Sequence, residues 1–218
     1  MPKRFELLVF DWDGTLLESA GPIVSSIQSA CADLGLPVPE EAAARHIIGL
    51  GLRDALGTLL PELPEADYGP LVERYRHHFL ARDQGIPLFE GAAQTICCLS
   101  DAGFLLAVAT GKSRQGLNRA LAYTGLAQYF HASRCADECH SKPHPSMLEE
   151  IMDELTAAPG RTLMIGDTTH DLLMAANAGV ASLAVAYGAH PRESLEALAP
   201  VATLNSFAEL RQWLEANA

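Results

Sequence analysis

Apolar residues along this chain follow two periods. Phe5–Phe10 is almost continuously apolar, the pattern of a strand covered on both faces. Similar runs at Phe104–Ala109, near Phe130–Ser133, at Thr162–Ile165 and at Ala181–Ala186 predict further strands. Between them, apolar positions recur at helical spacing over Ala92–Ala102, Arg114–Thr124, Ser146–Leu155 and Asp171–Ala178. Gly125 and Gly179 stop two of these helices, and Ser206–Glu215 closes the chain as an amphipathic helix. Strands alternating with helices predict an α/β fold: a doubly wound, Rossmann-like parallel sheet with helices on both faces.

The stretch after the first strand breaks that alternation. Ile23–Leu34, Glu40–Ile48, Arg53–Leu60 and Ala66–Arg82 all read as helices, punctuated by Gly35, Pro37, Gly49-Leu50-Gly51, Pro61 and Pro64. No strand signal lies among them. The expected organisation is therefore an α/β core of residues 1–16 and 86–218, with an inserted all-helical cap over residues 17–85. Hinges are expected near Glu18–Gly21 and Gln84–Leu88. A length of 218 residues, 49% of them apolar, suits one large domain carrying a smaller one.

The net charge of −12 argues against a nucleic-acid partner or an anionic membrane surface. It leaves room for a small phosphorylated metabolite, which needs only a few local donors and a metal. No apolar stretch approaches the length of a membrane span, and the first strand follows Met1 too closely for a signal peptide. Five cysteines at irregular spacing (Cys31, Cys97, Cys98, Cys135 and Cys139) fit reduced thiols in a cytoplasmic protein. Monomer and homodimer are equally compatible with the sequence.

Polar residues at the ends of the apolar runs carry the chemistry. Asp11 and Asp13 follow the first strand, two residues apart, with Gly14-Thr15 closing the turn. Asp-Gly is also a common turn dipeptide, so the pair alone reads equally as an Asx turn. Thr110-Gly111 follows the strand at Phe104–Ala109, Gly166-Asp167 follows Thr162–Ile165, and Lys142-Pro143 enters a helix. In open α/β sheets ligands bind beyond the carboxyl ends of the strands, so these groups are expected to converge. Together they suit phosphoryl transfer. Asp11 and Asp167 can ligate Mg²⁺, and Asp171, one helical turn on, can orient a metal-bound water. Thr110 and the Gly111 amide can hold phosphate oxygens, Lys142 can neutralise charge, and Asp13 can move protons.

Phe-Asp-Trp-Asp-Gly-Thr, Ala-Thr-Gly-Lys, Ser-Lys-Pro-His-Pro and Gly-Asp-x-x-x-Asp, in that order, resemble the four motifs of the haloacid dehalogenase-like hydrolases. The position of the cap resembles the subgroup that contains phosphoglycolate phosphatases. The resemblance implies that Asp11 is the nucleophile and Asp13 the general acid/base, with the Asp13 backbone carbonyl joining Asp11 and Asp167 on Mg²⁺. It also implies phosphate binding by Thr110, Gly111 and Lys142, and support of the metal by Asp171. Trp12 and Gly111 stand where an aliphatic residue and an asparagine are commoner, and neither removes a catalytic group. Asp13 argues against a dehalogenase. A phosphonate-cleaving relative needs a cap lysine, and lysine occurs only at positions 3, 112 and 142. The expectation is a Mg²⁺-dependent phosphatase acting on a small phosphomonoester through an aspartyl-phosphate. A sugar phosphomutase or a pyrophosphatase on the same core is the alternative. A non-enzymatic phospho-accepting regulator is the alternative of another class, though such a domain would be shorter and lack the cap.

Other signals are weaker. Gly111-Lys112-Ser113 mimics the end of a Walker A loop, but its first glycine would fall at Leu106. Gly49-x-Gly51 reads as a turn between helices. The segment from His131 through Cys135, Cys139 and His140 to His144 matches no familiar zinc spacing and reads as loop. Cys97-Cys98 reads as helix packing into the core, and His77-His78 as exposed. Arg53, just past the Gly49–Gly51 turn, is the cap group placed to read a substrate carboxylate. A solvated surface arginine is the competing reading.

Overall fold

The computed structural model describes residues 3–83 and 85–218. Six parallel strands form one sheet: β1 (Leu7–Phe10), β2 (Leu105–Thr110), β3 (Ala132–Cys135), β4 (Thr162–Gly166), β5 (Ala181–Val185) and β6 (Thr203–Leu204). Their order across the sheet is β3-β2-β1-β4-β5-β6. The chain winds outward from β1 through β2 to β3, then returns to the other side of β1 with β4. The winding therefore reverses between β1 and β4, where doubly wound folds open a crevice for ligands.

Side chains on β1 alternate between two apolar layers. Leu8 and Phe10 join Leu106, Val108, Leu163 and Ile165 on one face. Leu7 and Val9 join Ala107, Ala109 and Met164 on the other. Both faces are covered, so the strand has no polar side and its sequence shows no polar alternation.

Four helices separate β1 from the rest of the sheet: α1 (Ala20–Asp33), α2 (Glu41–His46), α3 (Leu52–Leu59) and α4 (Glu65–Asp83). The long helices α1 and α4 pack on each other. Two chain crossings tie this helical unit to the sheet as a short antiparallel ribbon. Glu18 N–H donates to the Pro87 carbonyl at 3.0 Å, and Phe89 N–H donates to Leu16 at 3.0 Å. The expected first hinge overlaps α1, which already begins at Ala20. Of the second, Gln84 lies outside the described residues.

The remaining helices are α5 (Ala92–Asp101), α6 (Arg114–Thr124), α7 (Ser146–Leu155), α8 (Thr169–Asn177), α9 (Arg192–Glu196) and α10 (Phe207–Asn217). Two short elements, β6 and α9, were not expected. Two residues give no alternation to read, and five give little more than one turn. Cys97 and Cys98 also depart from expectation: Cys98 is exposed and Cys97 half-buried. The buried stripe of α5 is Ala92, Thr95, Ile96 and Leu99, so Cys97 and Cys98 fall off it. His77 is exposed as expected, whereas His78 is half-buried against Asp33 at 2.8 Å.

Candidate active site

Four loops at the carboxyl end of the sheet converge on the crevice beside β1. Asp11 leaves β1 with its backbone amide held by the Ile165 carbonyl of β4 at 2.9 Å. Its carboxylate is buried, and Lys142 Nζ lies 2.7 Å from Oδ1. The same ammonium lies 2.6 Å from Oδ1 of Asp171, whose Oδ2 accepts from the Thr168 hydroxyl at 2.7 Å and amide at 3.1 Å. Asp167 accepts from the Thr15 hydroxyl at 2.9 Å and the Ala189 amide at 2.7 Å.

Backbone geometry makes this crowding tolerable. Gly14 takes a φ of +82°, and a Cβ there would fall 2.2 Å from Asp167 Oδ2. Only glycine fits both the turn and the neighbour.

Three buried carboxylates here outnumber the one buried ammonium. Asp11, Asp167 and Asp171 each offer an oxygen within 4.8 Å of the others. Burial, partly offset by Lys142 and reinforced by Asp171, pushes the Asp11 carboxyl up to about 7 from its ordinary 3.8. Burial, with the charges of Asp11 and Asp171, likewise holds Asp167 well above its usual range. For Lys142, burial opposes charge, but Asp11 and Asp171 outweigh it and keep the ammonium protonated. Asp11 Oδ2 is buried without a hydrogen-bond partner. A divalent cation bound by oxygen ligands would answer both the excess charge and the unpartnered oxygen.

Asp13 is set apart from this cluster. Its Oδ1 accepts from the Ser19 hydroxyl at 2.6 Å and lies 3.0 Å from Lys112 Nζ. Thr110 is fully buried, and its hydroxyl accepts from the Lys112 amide at 3.2 Å. Gly111 faces the helical unit: a Cβ there would fall 2.5 Å from the Leu50 carbonyl oxygen and 2.6 Å from that of Gly49. The Gly49–Gly51 turn thus touches the core as well as joining α2 to α3. The Gly51 amide also donates to the Ser141 hydroxyl at 2.8 Å, next to Lys142.

A second junction is built from histidines. Nε2 of His170 and Nε2 of His190 lie 2.8 and 3.0 Å from the His46 carbonyl, and the His46 and His190 rings stack. The Thr169 amide donates to Nδ1 of His190, which leaves the proton on Nε2 for His46.

The six core residues expected from the sequence, Asp11, Asp13, Thr110, Lys142, Asp167 and Asp171, therefore surround one crevice, with Gly111 at its edge. Arg53 stands apart at the rim, with its guanidinium on Glu65 and both side chains largely exposed. Sequence reasoning did not foresee Ser19, Lys112, Thr168 or the contact from Thr15 to Asp167. Thr168 had a signal, since Thr-x-x-Asp is a helix capping box. Lys112 ends the Ala-Thr-Gly-Lys motif, yet nothing in the sequence assigns it to Asp13. Among the described residues the three aspartates are the only metal-type cluster, and the His131–His144 segment supplies none. No helix of the described chain is long and apolar enough to cross a membrane.

Residues 8–185 match the family model of the haloacid dehalogenase-like hydrolases. A probable phosphatase, IndB, of Dickeya dadantii is 37% identical over 94% of this chain and 91% of its own length. A phosphoglycolate phosphatase of Agrobacterium fabrum is 34% identical over 94% of this chain and 90% of its own. A crystal structure of a predicted phosphatase from Clostridium acetobutylicum superposes with a TM-score of 0.84 at 25% identity, covering 97% and 98% of the two chains. The chain belongs to the haloacid dehalogenase-like hydrolase family, and its place there is among the phosphoric monoester hydrolases.

Proposed function

We propose that this protein hydrolyses the phosphomonoester of a small molecule with Mg²⁺ through a phosphoryl group carried on Asp11, by the same chemistry as a phosphoglycolate phosphatase. One observation carries the reading. Asp11 presents an unpartnered oxygen at the floor of a cavity, while Lys142 grips its other oxygen at 2.7 Å.

In this reading Asp11, Asp167 and the Asp13 backbone carbonyl hold the cation, with Asp171 supporting it. The bound cation neutralises the carboxylates and draws charge from the phosphoryl oxygens. Lys142 fixes the Asp11 carboxylate and counters charge on the phosphoryl group, while Thr110 and the Gly111 amide hold its oxygens. An Asp11 oxygen attacks phosphorus as the ester oxygen leaves, and Asp13 gives that oxygen a proton. Asp13 then takes a proton from water as the water attacks the phosphoryl group, releasing phosphate and freeing Asp11. Ser19 and Lys112 hold Asp13 from one side, so its carboxylate faces the leaving group in a fixed orientation.

Residues 17–85 act as the cap that closes over this chemistry and excludes bulk water, turning on the ribbon at Leu16–Glu18 and Pro87–Phe89. Five free cysteines fit a reducing, cytoplasmic setting. The test is release of phosphate from p-nitrophenyl phosphate with and without Mg²⁺. Turnover that requires the cation and falls on the order of 10⁴-fold in Asp11→Asn supports the reading. Cation-independent turnover, or activity retained by that variant, overturns it.

A further inference from the structure

A cavity of about 600 Å³ opens above Asp11 and Asp13, between the core and the helices of residues 17–85. That is the size that encloses a drug-sized ligand, far more than a two-carbon ester fills. Its upper wall is apolar: Ile23 and Ile27 of α1, Ile47 and Ile48 after α2, and Tyr75 and Phe79 of α4 line it. Tyr75 and Phe79 lie one helical turn apart with rings 5.8 Å between centroids and 20° from parallel, forming a continuous aromatic face.

The cations along this wall are mostly committed. Lys112 sits on Asp13 and, 4.9 Å away, over the Phe79 ring. Arg53 pairs with Glu65, and Arg119 lies 3.6 Å from Asp83. Arg76 of α4 also lines the cavity, exposed and, among the described residues, without a carboxylate partner. Among the described residues, the cation without a carboxylate partner on this wall is thus the exposed Arg76, which stays in solvent, while the Tyr75 hydroxyl remains as a donor. Burial first, then the nearby charges of Asp13 and Asp83, keeps that hydroxyl protonated.

We propose that the ester's alcohol is bulky and uncharged, with a ring or comparable apolar surface seated against Tyr75 and Phe79, and that 2-phosphoglycolate is a poor substrate. The inference rests on the phosphatase reading above and narrows its substrate class. An alcohol with a ring would cover the aromatic face and the isoleucines together, so apolar burial would favour it. A carboxylate in its place would lose its hydration among apolar side chains, with only the solvent-exposed Arg76 unpaired near by to offset that cost.

The test compares kcat/KM for ethyl phosphate, 2-phenylethyl phosphate and 2-phosphoglycolate with Mg²⁺. The first two share similar leaving-group chemistry and differ in apolar bulk. The expected order places 2-phenylethyl phosphate above ethyl phosphate by about 10- to 100-fold, the gain from burying one aromatic group. It places 2-phosphoglycolate lowest. In Tyr75→Leu and Phe79→Leu, confirmed as folded by thermal melting, the ratio of phenylethyl to ethyl ester should fall several-fold. A ratio near one in the unmodified enzyme, or 2-phosphoglycolate as the best of the three, overturns this inference and leaves the phosphatase reading intact. Failure to release phosphate from all three and from p-nitrophenyl phosphate overturns the phosphatase reading, and this inference with it.

Discussion

The floor and the roof of the cavity are built on opposite principles. Every charged group on the floor is held by at least one partner from a distant part of the chain. Lys142 bridges Asp11 and Asp171, Thr15 reaches Asp167 across 152 residues, and Ser19 with Lys112 fixes Asp13. The roof carries isoleucines and aromatics, most of them from the long helices α1 and α4 that pack on each other. A site that must stabilise one charge distribution gains from rigid, buried, cross-linked groups. A surface that must select one leaving group needs only shape and apolar area, which can vary without touching the chemistry. In the proposed reading the floor sets the reaction and the roof sets the choice.

That division can be broken in order of expected effect. Asp13→Asn should lower kcat by about 10²–10⁴-fold for every ester alike, with KM little changed, as steady-state kinetics on two or more esters would read. A loss confined to one ester would place Asp13 with the roof. Gly111→Ala strikes the seam between the two regions, because its new methyl meets the Gly49 and Leu50 carbonyls. Holding the roof off by even an ångström should cost about 10²-fold in kcat/KM. An unchanged rate would show that closure across this seam is unnecessary.

Acid titration of the floor gives a smaller and more diagnostic effect. Asp11 and Asp167 bind protons more tightly folded than unfolded, so in metal-free protein their contribution to stability is complete below about pH 3.8. It is lost as pH rises through about 7, where Asp11 ionises beside its neighbours. Mg²⁺ competes with those protons, so the rise in Tm on adding Mg²⁺ should be larger at pH 8 than at pH 5. Melting curves at the two pH values read this, and an equal or reversed shift would remove the cation from the floor. The least effect is expected at Arg53→Gln. The Arg53–Glu65 pair is exposed and worth about 0–1 kcal/mol, so kcat/KM on 2-phosphoglycolate should change by less than about threefold. A larger loss would give that arginine a substrate carboxylate to read.

The sequence displays the two regions unequally, for a physical reason. Asp11, Asp167 and the strands beneath them stand out because a buried parallel strand ending in an acid is a local pattern. The pairings that make those acids a site are long-range and leave no periodic trace, as with Thr15 and Asp167. Lys112 closes the Ala-Thr-Gly-Lys motif, but its pairing with Asp13 reaches far along the chain and leaves no local signal. The Gly49–Gly51 turn reads locally as a connection between helices, and its contact with Gly111 depends on how the helical unit packs on the sheet. Cys97 and Cys98 show the limit of residue preference. Cysteine favours the interior, but the phase of α5 leaves Cys97 half-buried and turns Cys98 outward.

The most direct test of the central claim is to find where the phosphoryl group goes. A single turnover of 2-phenylethyl phosphate with Mg²⁺, quenched in acid at successive times and followed by peptide mass analysis, would locate it. One phosphoryl group is expected on Asp11, appearing with release of the alcohol and disappearing as phosphate is formed. Phosphate formed with no phosphoryl group on Asp11 at any sampled time, or with that group on another residue, would contradict that claim.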